Sequence, residues 1–164
     1  MKRSCATAVL LSLGLATVDQ TRAESGQPAW MRYAALEDLP ARRYASELPA
    51  VVATFGDSPL LESARAELVR GVQGMLGRTL RVESTLPREG AILIGTLDDL
   101  KRAAPALVPG GAIPLDGYRL KSVTAGGVRH IVITGSNAHG VLYGAFAFLR
   151  KLALQEPLQL LSVD

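Results

Sequence analysis

Apolar positions recur along this chain with two distinct periods, and each change of period marks an element. Ser58-Pro59 announces the clearest helix: a side chain able to cap free N–H groups, then a residue suited to the first helical position, where no donor is needed. Leu61, Ala64, Leu68, Val72 and Met75 follow on one face at helical spacing, and Gly77 closes the segment. A second long helix is predicted over residues 137–154, capped by Ser136-Asn137. Its apolar residues Val141, Leu142, Ala145, Phe146, Phe148, Leu149 and Leu152 cover more than half the circumference. So broad a face implies burial against a sheet on one side and a further partner on the other.

Strand signals are shorter. Residues 50–54, 80–83 and 91–95 are apolar or alternating runs, and Trp30-Met31-Arg32-Tyr33 reads as a first strand. Residues 118–123 and 128–134 flank Ala125-Gly126-Gly127 and form the best hairpin in the chain. A short helix is predicted over 98–104, ended by Pro105, and residues 157–163 read as a closing strand or a linker. Between Pro40 and Pro49 the signal is mixed. The order β-β-α-β-β-(α)-β-β-α-β implies an α+β, layered α/β fold: one domain with a mixed sheet and two long helices on one face.

The N-terminus changes how composition is weighed. Lys2 and Arg3 precede a small, apolar run at 6–18, and Thr21-Arg22-Ala23 offers the small residues a signal peptidase reads. Residues 1–23 are therefore read as a signal peptide, cleaved after Ala23, since the run falls short of the ~20 residues that span a bilayer. Export to the periplasm or the extracellular space follows, with no membrane attachment after cleavage. Cys5, the only cysteine, leaves with the signal, so the remaining chain has no disulfide and no cysteine-based metal site. The whole chain carries 18 basic and 15 acidic side chains, but residues 24–164 carry 15 and 14. Near-neutrality makes no case for nucleic acid, which requires clustered Lys and Arg. Arg42-Arg43, Lys101-Arg102 and Arg150-Lys151 are isolated doublets.

Candidate chemistry is thin. Gly71, Gly74 and Gly77 repeat every third residue, but they lie within and at the end of a helix rather than in a phosphate loop between strand and helix. They fit a close approach of that helix to the sheet. His130 falls in a strand and His139 at a helix start, with no ligand spacing that would make a zinc site. Asp98-Asp99 is the adjacent acid pair that follows a strand end. A helix dipole favours acids there, so the pair reads as a helix start before it reads as catalysis. Glu37-Asp38 lies where the signal is mixed. No catalytic, cofactor-binding or metal residue is assigned.

Several segments together resemble one family. Trp30-Met31-Arg32-Tyr33-Ala34-Ala35-Leu36 is similar to the Trp-Leu-Arg-Tyr opening of bacterial and fungal xylan α-glucuronidases, glycoside hydrolase family 67. Gly56-Asp57-Ser58-Pro59, with Ala64-Arg65-Ala66-Glu67-Leu68 and the run from Gly71 to Gly77, resembles that family's first long helix. Gly117-Tyr118-Arg119-Leu120 resembles its next landmark. The most specific block is Ile131-Val132-Ile133-Thr134-Gly135 leading into Gly140-Val141-Leu142-Tyr143-Gly144-Ala145-Phe146-Ala147-Phe148-Leu149-Arg150, a looser form of which occurs in accessory domains of β-hexosaminidases.

The resemblance covers about residues 28–164 and only the family's N-terminal domain. It implies a mixed sheet with packed helices, preceding a (β/α)8 barrel whose carboxylates hydrolyse the α-1,2 bond to (4-O-methyl)glucuronic acid with inversion. No position here matches a family catalytic motif, so no catalytic residue is carried over. The implied partner is that barrel in cis, with contact to xylo-oligosaccharides through it. Val141, Phe146 and Phe148 are then expected to divide between the sheet and the barrel. The other reading is a stand-alone exported module that binds carbohydrate or protein. It is disfavoured by the scarcity of aromatic platforms: one Trp and four Tyr.

Overall fold

A computed structural model describes residues 33–158 and 161–163. The expected signal peptide and all but Tyr33 of the strand expected over residues 30–33 lie outside the described residues, and Tyr33 itself is not in a strand.

The described elements are α1 (Asp38–Glu47), β1 (Val51–Phe55), α2 (Pro59–Leu76), β2 (Arg81–Glu83), β3 (Ala91–Thr96), α3 (Leu97–Ala103), a 3-10 turn (Pro105–Leu107), β4 (Tyr118–Ala125), β5 (Val128–Gly135), α4 (Ala138–Ala153) and β6 (Ser162–Val163). They form one α+β domain around a six-stranded mixed sheet of order β2-β1-β3-β5-β4-β6. β2, β1, β3 and β5 run parallel, whereas β4 is antiparallel to both β5 and β6.

Both faces of the sheet are covered, which is why β1 and β3 are continuous apolar runs rather than alternating ones. The long helices α2 and α4 share one face, as expected from their periodicity. On the opposite face Val51, Ala53, Phe55, Ala91, Leu93 and Val132 pack with Leu100, Ala104 and Leu107 of α3 and the 3-10 turn.

Ser58 accepts a hydrogen bond from Leu60 N at 3.2 Å, Pro59 takes the first helical position, and Gly77 ends α2 at φ 65°. The β4–β5 hairpin turns on Gly126 and Gly127, both at positive φ, as a two-residue turn between right-twisted strands requires.

The structure refines several of these readings. Residues 38–47 form a helix where the signal was mixed; Pro40 sits in its first turn, where backbone N–H groups have no partner within the helix. Within the segment read as a closing strand or a linker, Ser162–Val163 forms β6. The broad apolar face of α4 is largely satisfied inside the domain: Val141 and Phe148 are fully buried while Phe146 is half-buried. The second partner of α4 is α2, whose Gly71 would strike Leu149 if it carried a Cβ. Gly71 and Gly74 thus bring α2 close to α4 and to Tyr33 rather than to the sheet.

Candidate functional site

The topology singles out one place. From β1 the chain passes through α2 to β2 on one side; from β3 it passes through α3 to β4 and β5 on the other. Adjacent strands whose connections part in this way leave a crevice at their carboxyl ends, the usual ligand position in open α/β sheets. Here a cavity of about 540 Å³ opens at that point, lined by Phe55, Gly56, Asp57, Ser84, Asp99 and Arg102.

Local sequence explains most of its wall. Thr96 and Asp99 form a capping box at the start of α3. Asp99 N donates to Thr96 Oγ1 at 3.2 Å, while Asp99 Oδ2 accepts from Thr96 N at 3.3 Å and from Thr96 Oγ1 at 2.5 Å. The other oxygen, Asp99 Oδ1, accepts from Arg102 Nη2 at 2.5 Å. Both carboxylate oxygens are therefore engaged in starting the helix. Asp98, largely exposed, accepts from Lys101 Nζ at 3.3 Å, and its carbonyl accepts from Arg102 Nε. Gly56, at φ 106°, lies so close to Asp99 and Leu61 that a Cβ there would stand 2.8 Å from Asp99 Oδ2. Asp57 beside it is exposed. The crevice can offer polar contacts; its most buried acid is already committed to structure.

The remaining candidates do not join this site. Glu37 is the N-cap of α1 and Asp38 lies in its first turn. His139 is exposed at the start of α4. His130 is buried near the opposite, amino edge of the parallel strands, where its Nδ1 accepts from Ala91 N at 3.3 Å. Burial pushes its pKa below the usual histidine value. It borders a second cavity of about 360 Å³, lined also by Leu86, Arg88, Leu107 and Val128. Among the described residues no group of three His, Cys, Asp or Glu is placed to hold a metal ion. The doublets are anchored separately: Arg43 donates to Gln155 O, Arg102 to Asp99, and Lys151 pairs with Glu156.

One buried charge had no advance signal of its role. Arg119 is 5% exposed. Its Nη1 donates to the carbonyls of Pro109 at 3.4 Å, Gly110 at 2.6 Å and Gly111 at 3.2 Å, and Nη2 donates to Ala112 O at 3.2 Å. A planar, permanently charged guanidinium suits such a fan of acceptors. It holds the loop before β4 as a structured ring. Gly117 and Tyr118 beside it accept the close approach of Gly140 and Gly144 on α4, which gives the Gly117–Leu120 block a packing reason.

Residues 29–148 match the family described as glycosyl hydrolase family 67 N-terminus. An α-glucuronidase of Hypocrea jecorina is 38% identical over 149 residues, which are 87% of this chain and 17% of that protein. α-Glucuronidase A of Emericella nidulans is 34% identical over 148 residues, 86% of this chain and 16% of that protein. A probable α-glucuronidase A of Aspergillus oryzae is 32% identical over 146 residues, again 87% and 17%. The chain thus spans about a sixth of the length of these curated relatives.

Proposed function

Because the chain belongs to glycosyl hydrolase family 67, whose N-terminal region it matches over residues 29–148, we propose that it serves as the non-catalytic N-terminal domain of an exported α-glucuronidase. That enzyme removes glucuronic acid side chains from xylan, and this domain braces the (β/α)8 barrel in which the reaction takes place. The observation that carries the reading is where the likeness falls. It covers nearly nine-tenths of this chain but only 16–17% of relatives named α-glucuronidase.

The crevice supports the same division of labour. A glycosidase needs two carboxyl groups across a sugar, one able to give a proton and one able to take it or attack. Here Asp99 is tied to Thr96 and Arg102, and Asp98 turns outward to Lys101. Export rests on the Lys2-Arg3 start, the apolar run and Ala23. Contact with xylo-oligosaccharides comes through the flank of the barrel that the domain supports.

The reading is tested in a hybrid. Residues 29–163 replace the matched N-terminal region of the Hypocrea jecorina enzyme, and a second version lacks that region altogether. The hybrid should cleave glucuronoxylan oligosaccharides and outlast the truncated version on heating. Equal activity and equal thermal stability of the two would remove the bracing role.

A further inference from the structure

We propose that the loop of residues 109–117, with Leu115 at its tip, is the surface on which the remainder of an α-glucuronidase docks in cis. This rests on the function proposed above and names the contact through which it acts.

Three observations meet at this loop. The first is rigidity. Arg119 clamps four consecutive carbonyls from inside, and Gly117 N donates to Pro114 O at 2.8 Å. Asp116 is held at φ 56°, in the left-handed region, with its Oδ1 accepting from Asn137 Nδ2 at 2.7 Å. Asn137 Oδ1 in turn accepts from Gly140 N at 3.0 Å, so the loop is fastened to the start of α4. Backbone held away from its relaxed conformation persists where its surroundings impose it, and such places cluster at functional surfaces.

The second is what that rigid frame presents. Leu115 is 84% exposed, more than any other large hydrophobic side chain among the described residues. A leucine thrown outward on an ordered backbone has little conformational freedom left to lose when a partner covers it, which favours a docking contact.

The third fixes the partner. β6 is antiparallel to β4, with Leu120 opposite Val163 and Lys121 opposite Ser162. From Ser162 to Val163 the chain therefore heads toward Arg119 and Gly117, the end of the sheet at which this loop lies. In relatives of which this chain is about a sixth, most of the polypeptide lies beyond such an N-terminal region. A domain tethered at this edge meets the loop first. The other strongly exposed leucines, Leu39 and Leu154, belong to the start of α1 and the end of α4, away from that exit.

The test uses the hybrid enzyme and the full chain side by side. Leu115→Asp should lower the thermal midpoint of the hybrid by several degrees while leaving that of the 164-residue chain unchanged. Leu115→Met should behave as wild type, and Leu39→Asp should leave the hybrid unaffected. An unchanged midpoint of Leu115→Asp in the hybrid overturns the assignment. So does an equal loss in the chain alone, which would make the residue an internal one. If the chain alone is a dimer in light scattering that Leu115→Asp dissociates, the occupant is a second copy and the proposal also fails. Failure of the function itself looks different: the unaltered hybrid would then gain nothing over the truncated enzyme.

Discussion

The Tyr33 hydroxyl donates to Glu67 Oε2 at 2.7 Å, across the face of α2 where Gly71 and Gly74 leave room for the ring and its backbone. Arg70, paired with the same glutamate, lies 5.7 Å from the ring centroid. Burial, then the hydrogen bond to Glu67, push the tyrosine pKa above its ordinary value. The tyrosine of the Trp-x-Arg-Tyr opening and the glycine-rich helix are therefore two halves of one contact. Each explains the other's presence in the sequence.

That contact can be weakened from either side. In Gly74→Ala a Cβ would stand 2.8 Å from Tyr33 O, a backbone atom with little freedom to move. Crowding of this kind costs about 1–3 kcal/mol, against the roughly 1 kcal/mol that alanine returns to a helix interior. Net destabilisation should appear in urea unfolding, and Tyr33→Phe should cost about 1.5 kcal/mol through the lost hydrogen bond to a carboxylate.

Arg119→Gln removes the charge that fills the ring of carbonyls. The loss should be about 1.5–3 kcal/mol, the range for hydrogen bonds to charged groups. Limited proteolysis should show new cleavage near Gly110 and Gly111. Arg119→Lys should not restore resistance, because an ammonium lacks the planar fork that reaches Gly110 and Ala112 together.

A Cβ on Gly140 would overlap the Gly117 carbonyl and crowd Gly135, backbone on every side. Gly140→Ala should thus destabilise by about 2 kcal/mol or more in spite of its better helix propensity. His139→Ala, one residue earlier and exposed, should change stability by less than about 0.5 kcal/mol in the same denaturation experiment.

The regular parts of the fold were legible because their information is local. α2 carried its cap, its stripe and its stop within residues 58–77, and the hairpin carried its turn in Gly126-Gly127. α1 was not legible. Its one buried residue is Tyr44, whose hydroxyl donates to Glu156 O at 2.7 Å, 112 residues away, and Pro40 in its first turn and Pro49 just past its end obscure its short pattern. The site was half visible. Asp98-Asp99 could be read as a helix start, but the crevice depends on the parting of the connections after β1 and β3. The role of Arg119 depends on carbonyls that come together only when the loop closes.

His130 gives the domain a pH dependence with a definite sign. Buried and accepting from Ala91 N, it is held neutral in the fold, with Arg88 bordering the same cavity. The unfolded chain takes up a proton as pH falls through about 6.5, before the folded protein does. Stability contributed by the neutral ring is thus present above about pH 6.5 and is lost progressively below it. Chemical denaturation at pH 7.5 and 5.5 should show this loss in the wild type, and a smaller one in His130→Asn.

The most direct measurement is release of 4-O-methylglucuronic acid from aldouronic oligosaccharides by the purified chain alone, followed by anion-exchange chromatography. The account predicts none above the spontaneous rate, in the wild type and in Asp99→Asn alike. Release by the wild type that Asp99→Asn abolishes would contradict it, and would make the crevice at the ends of β1 and β3 an active site.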